Sequence, residues 1–414
     1  MSGAFFIGLS GLTSNSLGIK NVGNNLANTN TIGYKASNLF FEELRSASEG
    51  ADGGQGVDIS TTQQVWTQGN VQQSQLPTDM AVRGNGFFVV GDGVNSQFYT
   101  RAGNFQIDPE GKLVTSDGLY VMGFPVVDGA IDPNADLTPI DVTPGKILPA
   151  KATTEVQFVT NLNSETVSET INPDLASFST STLVYDSLGA SHAVTATFTK
   201  TDTGWRYEMT LPAVDVGGAS TDPPVVVQTG TLTFDSDGKL TSPATDVTGI
   251  AISGLANGAS DVVFDWTLYD EQGDGYLTQF NLPSSTSETF QNGNPAGILS
   301  EFYVLEDGTI EGLFSNGETA PLGQVVLSNF TSPQGLVRVG DNLYARTTQS
   351  GEPTIGAADT GGRGRVQGNA IEMSNVDVAE EFIKLIIYQR GYQANARVIT
   401  TSDQITLETL QLKQ

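Results

Sequence analysis

Hydrophobic residues at the C-terminal end of the chain recur at helical spacing. Between residues 374 and 412 they follow one another in steps of four and three, and this segment contains no proline and a single glycine. This is the pattern of one long amphipathic helix. Ser374 or Asn375 is placed to cap its start, and acidic residues crowd its first turns, where the helix dipole favours negative charge. The predicted stripe consists of Val378, Phe382, Leu385, Tyr392, Ala396, Ile399 and Leu410, and it leaves Ile383, Ile386 and Ile387 uncovered.

The N-terminal end of the chain carries a matching stripe with the same alternation of steps. Its members are Phe5, Leu9, Leu12, Ser16, Ile19, Gly23 and Leu26. A lone helix with one apolar face is marginal in water and has to bury that face. We therefore predict that the two terminal helices pack against each other or against other copies of the chain.

The pattern between the two ends is that of β-structure. From about residue 79 to about residue 345, short runs rich in Val, Thr, Phe and Tyr alternate with Asp–Gly and Asn–Gly pairs. Such pairs favour the primed turns of two-residue β-hairpins. Composition changes near residues 139–149 and 281–287, where Pro, Ser and Thr accumulate, and these changes mark linkers around an inserted domain.

These patterns predict a multidomain α+β fold with four parts. Residues 1–30 and 371–414 form a helical assembly domain, in which the long terminal helices pair in a coiled-coil-like manner. Residues 31–75 and 359–370 form a connecting region. Residues 76–145 and 285–358 form a first, mainly antiparallel β domain, and residues 146–284 form a second β domain inserted within it.

Charge and cysteine content narrow the possible functions. The chain of 414 residues has a net charge of −27, and residues 90–330 alone hold 31 acidic and 7 basic side chains. Such a surface argues against nucleic acid and anionic membranes as partners. The absence of cysteine excludes a disulfide scaffold and a thiolate site. No apolar run is long enough for a membrane-spanning helix, and the N-terminus lacks the basic and apolar regions of a usual secretory signal.

The candidate chemistry is sparse. Asp270, Glu271 and Asp274 faintly resemble a calcium loop, but the regular ligand spacing is missing and a β-turn is the simpler interpretation. His192 is the only histidine, and neither a serine-nucleophile motif nor a phosphate-binding loop is present. We therefore predict that the protein is not an enzyme and has no cofactor, catalytic residue or metal ligand. Whether an ion binds the acidic inserted domain stays open.

Three stretches carry a resemblance to a known family. The sequence VGNNLANTNTIGYK (Val22–Lys35) resembles the N-terminal signature of the bacterial flagellar axial proteins, which form the rod, hook and hook-associated parts. The stretch Asp79–Val90 is similar to the start of that family's first β domain, and Ser374–Leu410 is similar to its C-terminal helix. Together these stretches cover about a quarter of the chain. The signature positions are Asn24, Asn25, Leu26, Ala27, Asn28, Thr31, Gly33, Tyr34 and Lys35.

The resemblance implies a structural role. Rod proteins of this family are much shorter, so a chain with a large acidic β insertion is expected to be a subunit of the flagellar hook. Such a subunit self-assembles into a curved flexible tube that transmits torque from the rod to the filament. The implied subunit-interface residues are Phe5, Leu9, Leu12, Ile19, Leu26, Val378, Phe382, Leu385, Ile386, Tyr392, Ala396, Ile399 and Leu410; the implied joint residues are Asn24, Asn25, Asn28, Thr31, Gly33, Tyr34 and Lys35.

The family also implies partners and a location. The expected partners are other copies of the chain, the hook cap, the distal rod, the hook–filament junction proteins and the flagellar export apparatus. The protein is expected outside the cell, exported by the flagellar type III route without a cleaved signal. Two alternatives stay open: a distal rod or hook-associated protein with an unusual insertion, and a secreted β-rich protein that binds or hydrolyses glycans.

Overall fold

The computed structural model describes residues 2–45, 54–93 and 96–411. Two long α-helices, α1 (Ser2–Ala27) and α2 (Val378–Gln411), stand at the two ends, and the chain between them is mainly β. This confirms the predicted division into helical ends and a β interior. None of the helices in these ranges is long and apolar enough to cross a membrane.

The strands and short helices have the following bounds. The strands are β1 (Ser37–Arg45), β2 (Gly54–Gln64), β3 (Val71–Gln73), β4 (Met80–Arg83), β5 (Phe87–Gly91), β6 (Gln97–Thr100), β7 (Gln106–Ile107), β8 (Leu113–Val114), β9 (Tyr120–Phe124), β10 (Val126–Val127), β11 (Ala130–Ile131), β12 (Thr138–Pro139), β13 (Ile147–Leu148), β14 (Glu155–Asn161), β15 (Ser177–Tyr185), β16 (Ser191–Lys200), β17 (Trp205–Leu211), β18 (Val225–Phe234), β19 (Leu240–Ser242), β20 (Val247–Ile252), β21 (Val262–Thr267), β22 (Leu277–Thr278), β23 (Ser285–Gln291), β24 (Gly297–Val304), β25 (Thr309–Phe314), β26 (Thr319–Asn329), β27 (Val337–Gly340), β28 (Leu343–Ala345), β29 (Thr354–Ala357), β30 (Arg365–Gly368) and β31 (Ala370–Glu372). Short 3-10 helices span Pro173–Leu175, Ala213–Val216 and Pro333–Gly335.

The chain divides into two compact units. The first comprises Met1–Pro144, Glu301–Leu313 and Thr319–Gln414, and therefore holds both terminal helices. In it, strands β25, β26, β9, β5, β6, β28 and β27 lie side by side in that order, and neighbours run antiparallel. Aromatic rings fill the core beneath this sheet, with Trp66 5.0 Å from Tyr344 and Tyr99 4.8 Å from Phe330 between ring centroids.

The second unit comprises Gly145–Ser300 and Phe314–Glu318. One of its sheets has the order β15, β16, β17, β18, β19 and is antiparallel throughout. In the other, β14 runs antiparallel to β23 but parallel to β21 and β22. Alternating strand residues from both sheets form one core around Trp266, whose ring centroid lies 5.0 Å from that of Tyr207.

The structure corrects two local predictions. The side chain of Asp377, rather than that of Ser374 or Asn375, caps α2, because its Oδ1 accepts the backbone N–H groups of Ala379 and Glu380 at 2.8 and 3.2 Å. Among the Asx–Gly pairs, Asp128–Gly129 joins β10 to β11 with both residues at positive φ. Asp307–Gly308 does not form a primed turn. Here Asp307 belongs to a type I turn, and Gly308 follows it in the left-handed conformation with φ 86°.

Candidate functional site

The two terminal helices pack against each other in antiparallel directions. The helix α1 meets α2 through the successive pairs Gly8–Ile399, Gly11–Asn395, Asn15–Gly391, Gly18–Tyr388 and Asn25–Glu381. From one pair to the next, the residue number in α1 rises and the residue number in α2 falls by nearly the same amount. The contact face of α1 is therefore built mainly from small and polar residues at helical spacing, and the buried Val22 lies on the same face.

Three glycines of α1 bring the two helices close together. A Cβ atom added at Gly18 would lie 2.8 Å from Cδ1 of Tyr388, and one added at Gly11 would lie 2.8 Å from Nδ2 of Asn395. At Gly8 the distance to Cγ1 of Ile399 would be 3.0 Å. A larger side chain at any of these positions requires the facing side chain of α2 to shift or the two helices to move apart. The Tyr388 ring also contacts Phe41 of β1, with 6.2 Å between ring centroids.

At the C-terminal end of α1, Asn25 organises a buried polar network. Its Nδ2 donates to Oε2 of Glu381 at 3.2 Å and to the carbonyl oxygen of Ser37 at 2.9 Å. Its Oδ1 accepts from the Tyr34 hydroxyl at 3.2 Å and from the Ser37 N–H at 3.1 Å. The Asn25 side chain thus uses both ends of its amide to join α1, α2 and the start of β1.

Next to this network, three charged side chains meet in the interior. Lys35 Nζ lies 2.6 Å from Oε1 of Glu372, and Arg101 Nη1 lies 3.2 Å from Oε2 of the same carboxylate. The Glu372 carboxylate also accepts the Gly69 N–H at 2.8 Å, and Lys35 donates to the Thr67 carbonyl oxygen at 2.8 Å. Burial lowers the pKa of Lys35, and the neighbouring Glu372 charge opposes that shift.

The Glu372 cluster joins four segments of the chain. Lys35 follows α1, Glu372 precedes α2, Arg101 follows β6, and residues 67–69 lie between β2 and β3. Gly33 fits into the same junction: its N–H donates to the Glu372 carbonyl oxygen at 2.7 Å, and its φ is 68°. A Cβ atom at Gly33 would lie 2.4 Å from the Ala102 nitrogen, so only glycine fits there.

The other signature residues cap the end of α1. Asn28 Nδ2 donates to the Asn24 carbonyl oxygen at 2.8 Å, and the Thr31 hydroxyl donates to Asn28 Oδ1 at 3.1 Å. Asn24 Nδ2 lies 3.4 Å from the Tyr34 hydroxyl. The structure thus gathers the predicted joint residues into one hydrogen-bonded junction. Their role as a joint stays a prediction.

The predicted interface residues divide into exposed and half-buried ones, and one of them, Ile399, lies in the contact between α1 and α2. The exposed ones are Phe5, Leu9, Val378, Phe382, Ile386 and Tyr392; the half-buried ones are Leu12, Ile19, Leu26, Leu385, Ala396 and Ile399. The side chain of Leu410 is outside the described part of the chain. Sequence reasoning missed Gly8, Gly11, Gly18, Arg101, Glu372 and Glu381, although the spacing of the three glycines is itself a helical signal.

The two remaining candidates for chemistry, the loop at Asp270 and the single histidine, are held by contacts within the fold. Asp270 Oδ1 accepts the N–H groups of Gln272 and Asp274 at 2.9 and 2.7 Å, which is a turn held by an aspartate. His192 is buried between Asp186 at 3.1 Å and Asp215 at 3.4 Å. Within the described ranges, no group of three or more His, Asp or Glu side chains is arranged to hold a metal ion.

Comparisons with known families agree with this architecture. The chain matches "Flagellar hook protein FlgE/F/G D1 domain" at residues 81–169, "Flagellar basal body protein FlaE D2 domain" at residues 161–294 and "Flagellar basal body rod FlgEFG protein C-terminal" at residues 367–412. With the paired terminal helices and the β interior, these matches define the class as the rod and hook proteins of the bacterial flagellum.

Full-length relatives identify the family within that class. The chain is 34% identical to the flagellar hook protein FlgE of Escherichia coli K12, over 98% of this chain and 99% of the relative. It is 32% identical to the hook protein FlgE of Borreliella burgdorferi over the full length of both. The chain belongs to the flagellar hook protein family. The crystal structure of Helicobacter pylori FlgE2 shares the fold, with a TM-score of 0.54 at 17% identity, over 73% of this chain and 100% of that one.

Proposed function

We propose that this protein is a structural subunit of the bacterial flagellar hook, which self-assembles into a curved flexible tube and transmits torque from the rod to the filament. The observation that carries the proposal is the apolar surface left over after α1 and α2 have paired. Phe6 stays 62% exposed, Ile383 59% and Ile387 60%. Apolar surface of this extent on a helix pair marks an interface with further protein.

The arrangement of that surface suits more than one neighbour. Successive residues of an α-helix are about 100° apart, so Val378, Phe382 and Leu407 lie on one side of the face of α2 that contacts α1. Ile387, Val398 and Ile405 lie on the other side. All six side chains are exposed. We infer a coiled-coil-like inner layer in which each helix pair contacts a neighbouring copy on each side.

The face of α2 opposite α1 is polar along most of its length. Arg390, Gln393, Arg397 and Gln404 share that face and are exposed. In a tube with its helices innermost, this face lines a wet central channel. Asn395 has a different role, because it packs on Gly11 and donates to the Gly391 carbonyl oxygen at 2.9 Å.

We further propose the four-part organisation that the sequence predicts. The helical domain (residues 1–30 and 371–414) assembles the tube, the connecting region (31–75 and 359–370) links it to the first β domain (76–145 and 285–358), and the inserted β domain (146–284) lies outermost. Support comes from the ordered junction around Glu372, which fixes the chain direction between α1, α2 and β6. The proposed location is the flagellum outside the cell. Export by the type III route, and contacts with the cap, the rod and the junction proteins, belong to the same proposal.

The test is electron microscopy of concentrated purified protein. The intact chain should form curved tubes, and the chain lacking residues 371–414 should not. A sharper variant is Ile387→Asp, which places a charge in the inferred interface and should prevent assembly. The matched control is Val263→Asp, because Val263 is 51% exposed but lies on β21, far from the helices in sequence.

Other outcomes favour the alternatives. Straight, rigid tubes would favour a distal rod or hook-associated role. A monomer at high concentration, with activity on polysaccharides, would favour a secreted glycan-binding or glycan-hydrolysing protein. Tubes from the Ile387→Asp protein that match those of the wild type would refute the inferred helix interface.

A further inference from the structure

Arg83 and Arg365 lie directly opposite each other on the paired strands β4 and β30. Like charges at opposing positions of an antiparallel pair repel each other. Arg365 is balanced by its own chain, with Nη1 2.9 Å from Glu306 Oε2 and Nε 3.0 Å from Asp359 Oδ1. Arg83 is exposed and has no ion-pair partner anywhere in the described ranges. Its charge is therefore free to pair with a group from outside the chain.

The two arginines line a cleft of about 400 Å³ at the surface of the first unit. The other lining residues are Val304, Glu306, Val366, Gln367 and Gly368. Because Arg365 and Glu306 are paired with each other, the guanidinium of Arg83 is the unpaired charge of this cleft. An occupant that matches it carries an exposed carboxylate, which the aspartates of an acidic turn in a polypeptide supply.

We propose that this cleft receives an acidic turn of a second copy of the same chain. Charge complementarity supports that occupant, because each copy carries 46 acidic against 19 basic side chains. The loop that begins at Asp128 is an example, since Asp128, Asp132 and Asp136 have no ion-pair partner within the described part of the chain. The flat guanidinium of Arg83 can bind such a carboxylate with two parallel hydrogen bonds.

The inference rests on the proposed function, because a polymer holds many copies close together. It adds a polar, salt-sensitive contact between first units to the apolar contact between helices. The two kinds of contact respond differently to ionic strength, because salt screens exposed charges but not apolar burial. That difference makes the cleft testable separately from the helix interface.

The first test measures the critical concentration for tube formation, at low and high salt, for the wild type, Arg83→Ser and Arg83→Glu. Arg83→Ser should raise it about three- to tenfold at low salt, and Arg83→Glu should raise it further. Both effects should shrink at high salt. The matched control is Arg346→Ser, since Arg346 is 55% exposed in the same unit and pairs only with Glu352 among the described residues. Unchanged thermal unfolding of each monomer checks that the variants fold.

The second test locates the occupant. The chain contains no cysteine, so Asn85→Cys introduces a single labelling site two residues beyond Arg83. A photo-crosslinker attached there should join two copies in assembled tubes, and the crosslinked peptide should contain an acidic turn.

Two results would overturn the proposed contact while leaving the proposed function intact: Arg83→Ser tubes that form at the wild-type concentration, and crosslinks that stay within one chain. If the wild-type protein itself fails to form tubes, both the proposed contact and the proposed function are overturned.

Discussion

Lys35 and Glu372 are 337 residues apart in sequence, yet Nζ of the lysine lies 2.6 Å from Oε1 of the glutamate. One residue follows the N-terminal helix and the other precedes the C-terminal helix, and both side chains are almost fully buried. Arg101, which directly follows β6, binds the second oxygen of the same carboxylate. The pair therefore fixes both helices to one point on the β structure.

The first prediction concerns Glu372→Gln. The substitution keeps the shape of the side chain but leaves Lys35 and Arg101 as buried cations without a counter-charge. We expect the free energy of unfolding of the monomer to fall by about 3–5 kcal/mol, measured by urea denaturation.

The control is Glu352→Gln, which removes an exposed partner of Arg346 and should cost less than about 1 kcal/mol. Equal losses for Glu372→Gln and Glu352→Gln would contradict a buried junction.

The second prediction uses two glycines of α1. Alanine has a higher helix propensity than glycine by about 1 kcal/mol, so both Gly18→Ala and Gly23→Ala should stabilise an isolated helix. In the folded chain, a Cβ at Gly18 would lie 2.8 Å from the Tyr388 ring, whereas a Cβ at Gly23 would meet nothing within 4 Å. We therefore expect Gly18→Ala to lower the thermal stability of the helical circular dichroism signal and Gly23→Ala to raise it. Stabilisation by both changes would argue against the close contact between α1 and α2.

The third prediction concerns pH and the buried Asp186 in the second unit. Burial acts to raise the pKa of its carboxyl, but hydrogen bonds from Asn257, His192 and the N–H groups of Ala190 and Leu188 prevail and lower it to about 2. The native state therefore favours the ionised form. Its contribution, about 2 kcal/mol, is fully present above the ordinary aspartate pKa near 4 and is lost as the pH falls towards 2.

We expect Asp186→Asn to lower the free energy of unfolding at pH 7 by about that amount, and we expect the difference from the wild type to shrink between about pH 4 and pH 2. The measurement is chemical denaturation of both proteins across this pH range. Asp261→Asn, which makes the same substitution at an exposed residue, serves as the control. A difference that stays constant with pH would contradict the assignment to the Asp186 charge.

The fourth prediction separates two candidate helix caps. Asp377→Ala removes the side chain that accepts the Ala379 and Glu380 N–H groups, and it should destabilise α2 by about 1 kcal/mol. Ser374→Ala removes a single longer hydrogen bond of 3.3 Å to Val376, outside the helix, and should cost less. Thermal denaturation followed by helical circular dichroism distinguishes the two, and a larger loss for Ser374→Ala would refute the assignment.

The same Asp377 shows how far local sequence information reaches. Several residues that favour caps precede the apolar stripe of α2, and the sequence does not rank Ser374, Asn375 and Asp377 against one another. Tertiary contacts decide, because Asn375 is held by the Val65 carbonyl oxygen and the Ala36 N–H at 2.7 and 2.8 Å. Because these contacts occupy the Asn375 side chain, the N–H groups at the start of α2 are capped by the carboxylate of Asp377 instead.

The sequence by itself determined the helical ends, the β interior and the family signature, because each is written in periodicity or in a short motif. Tertiary structure alone decided which face of α1 meets α2. The stripe from Phe5 to Leu26 suggests an apolar contact, but Gly8, Gly11 and Gly18 form it, since small residues allow the closest approach of two helices. Phe5 and Leu9 of that stripe then stay exposed, and Leu12, Ile19 and Leu26 are half-buried. The Glu372 cluster is likewise beyond sequence reasoning, because its members come from distant segments that only the fold brings together.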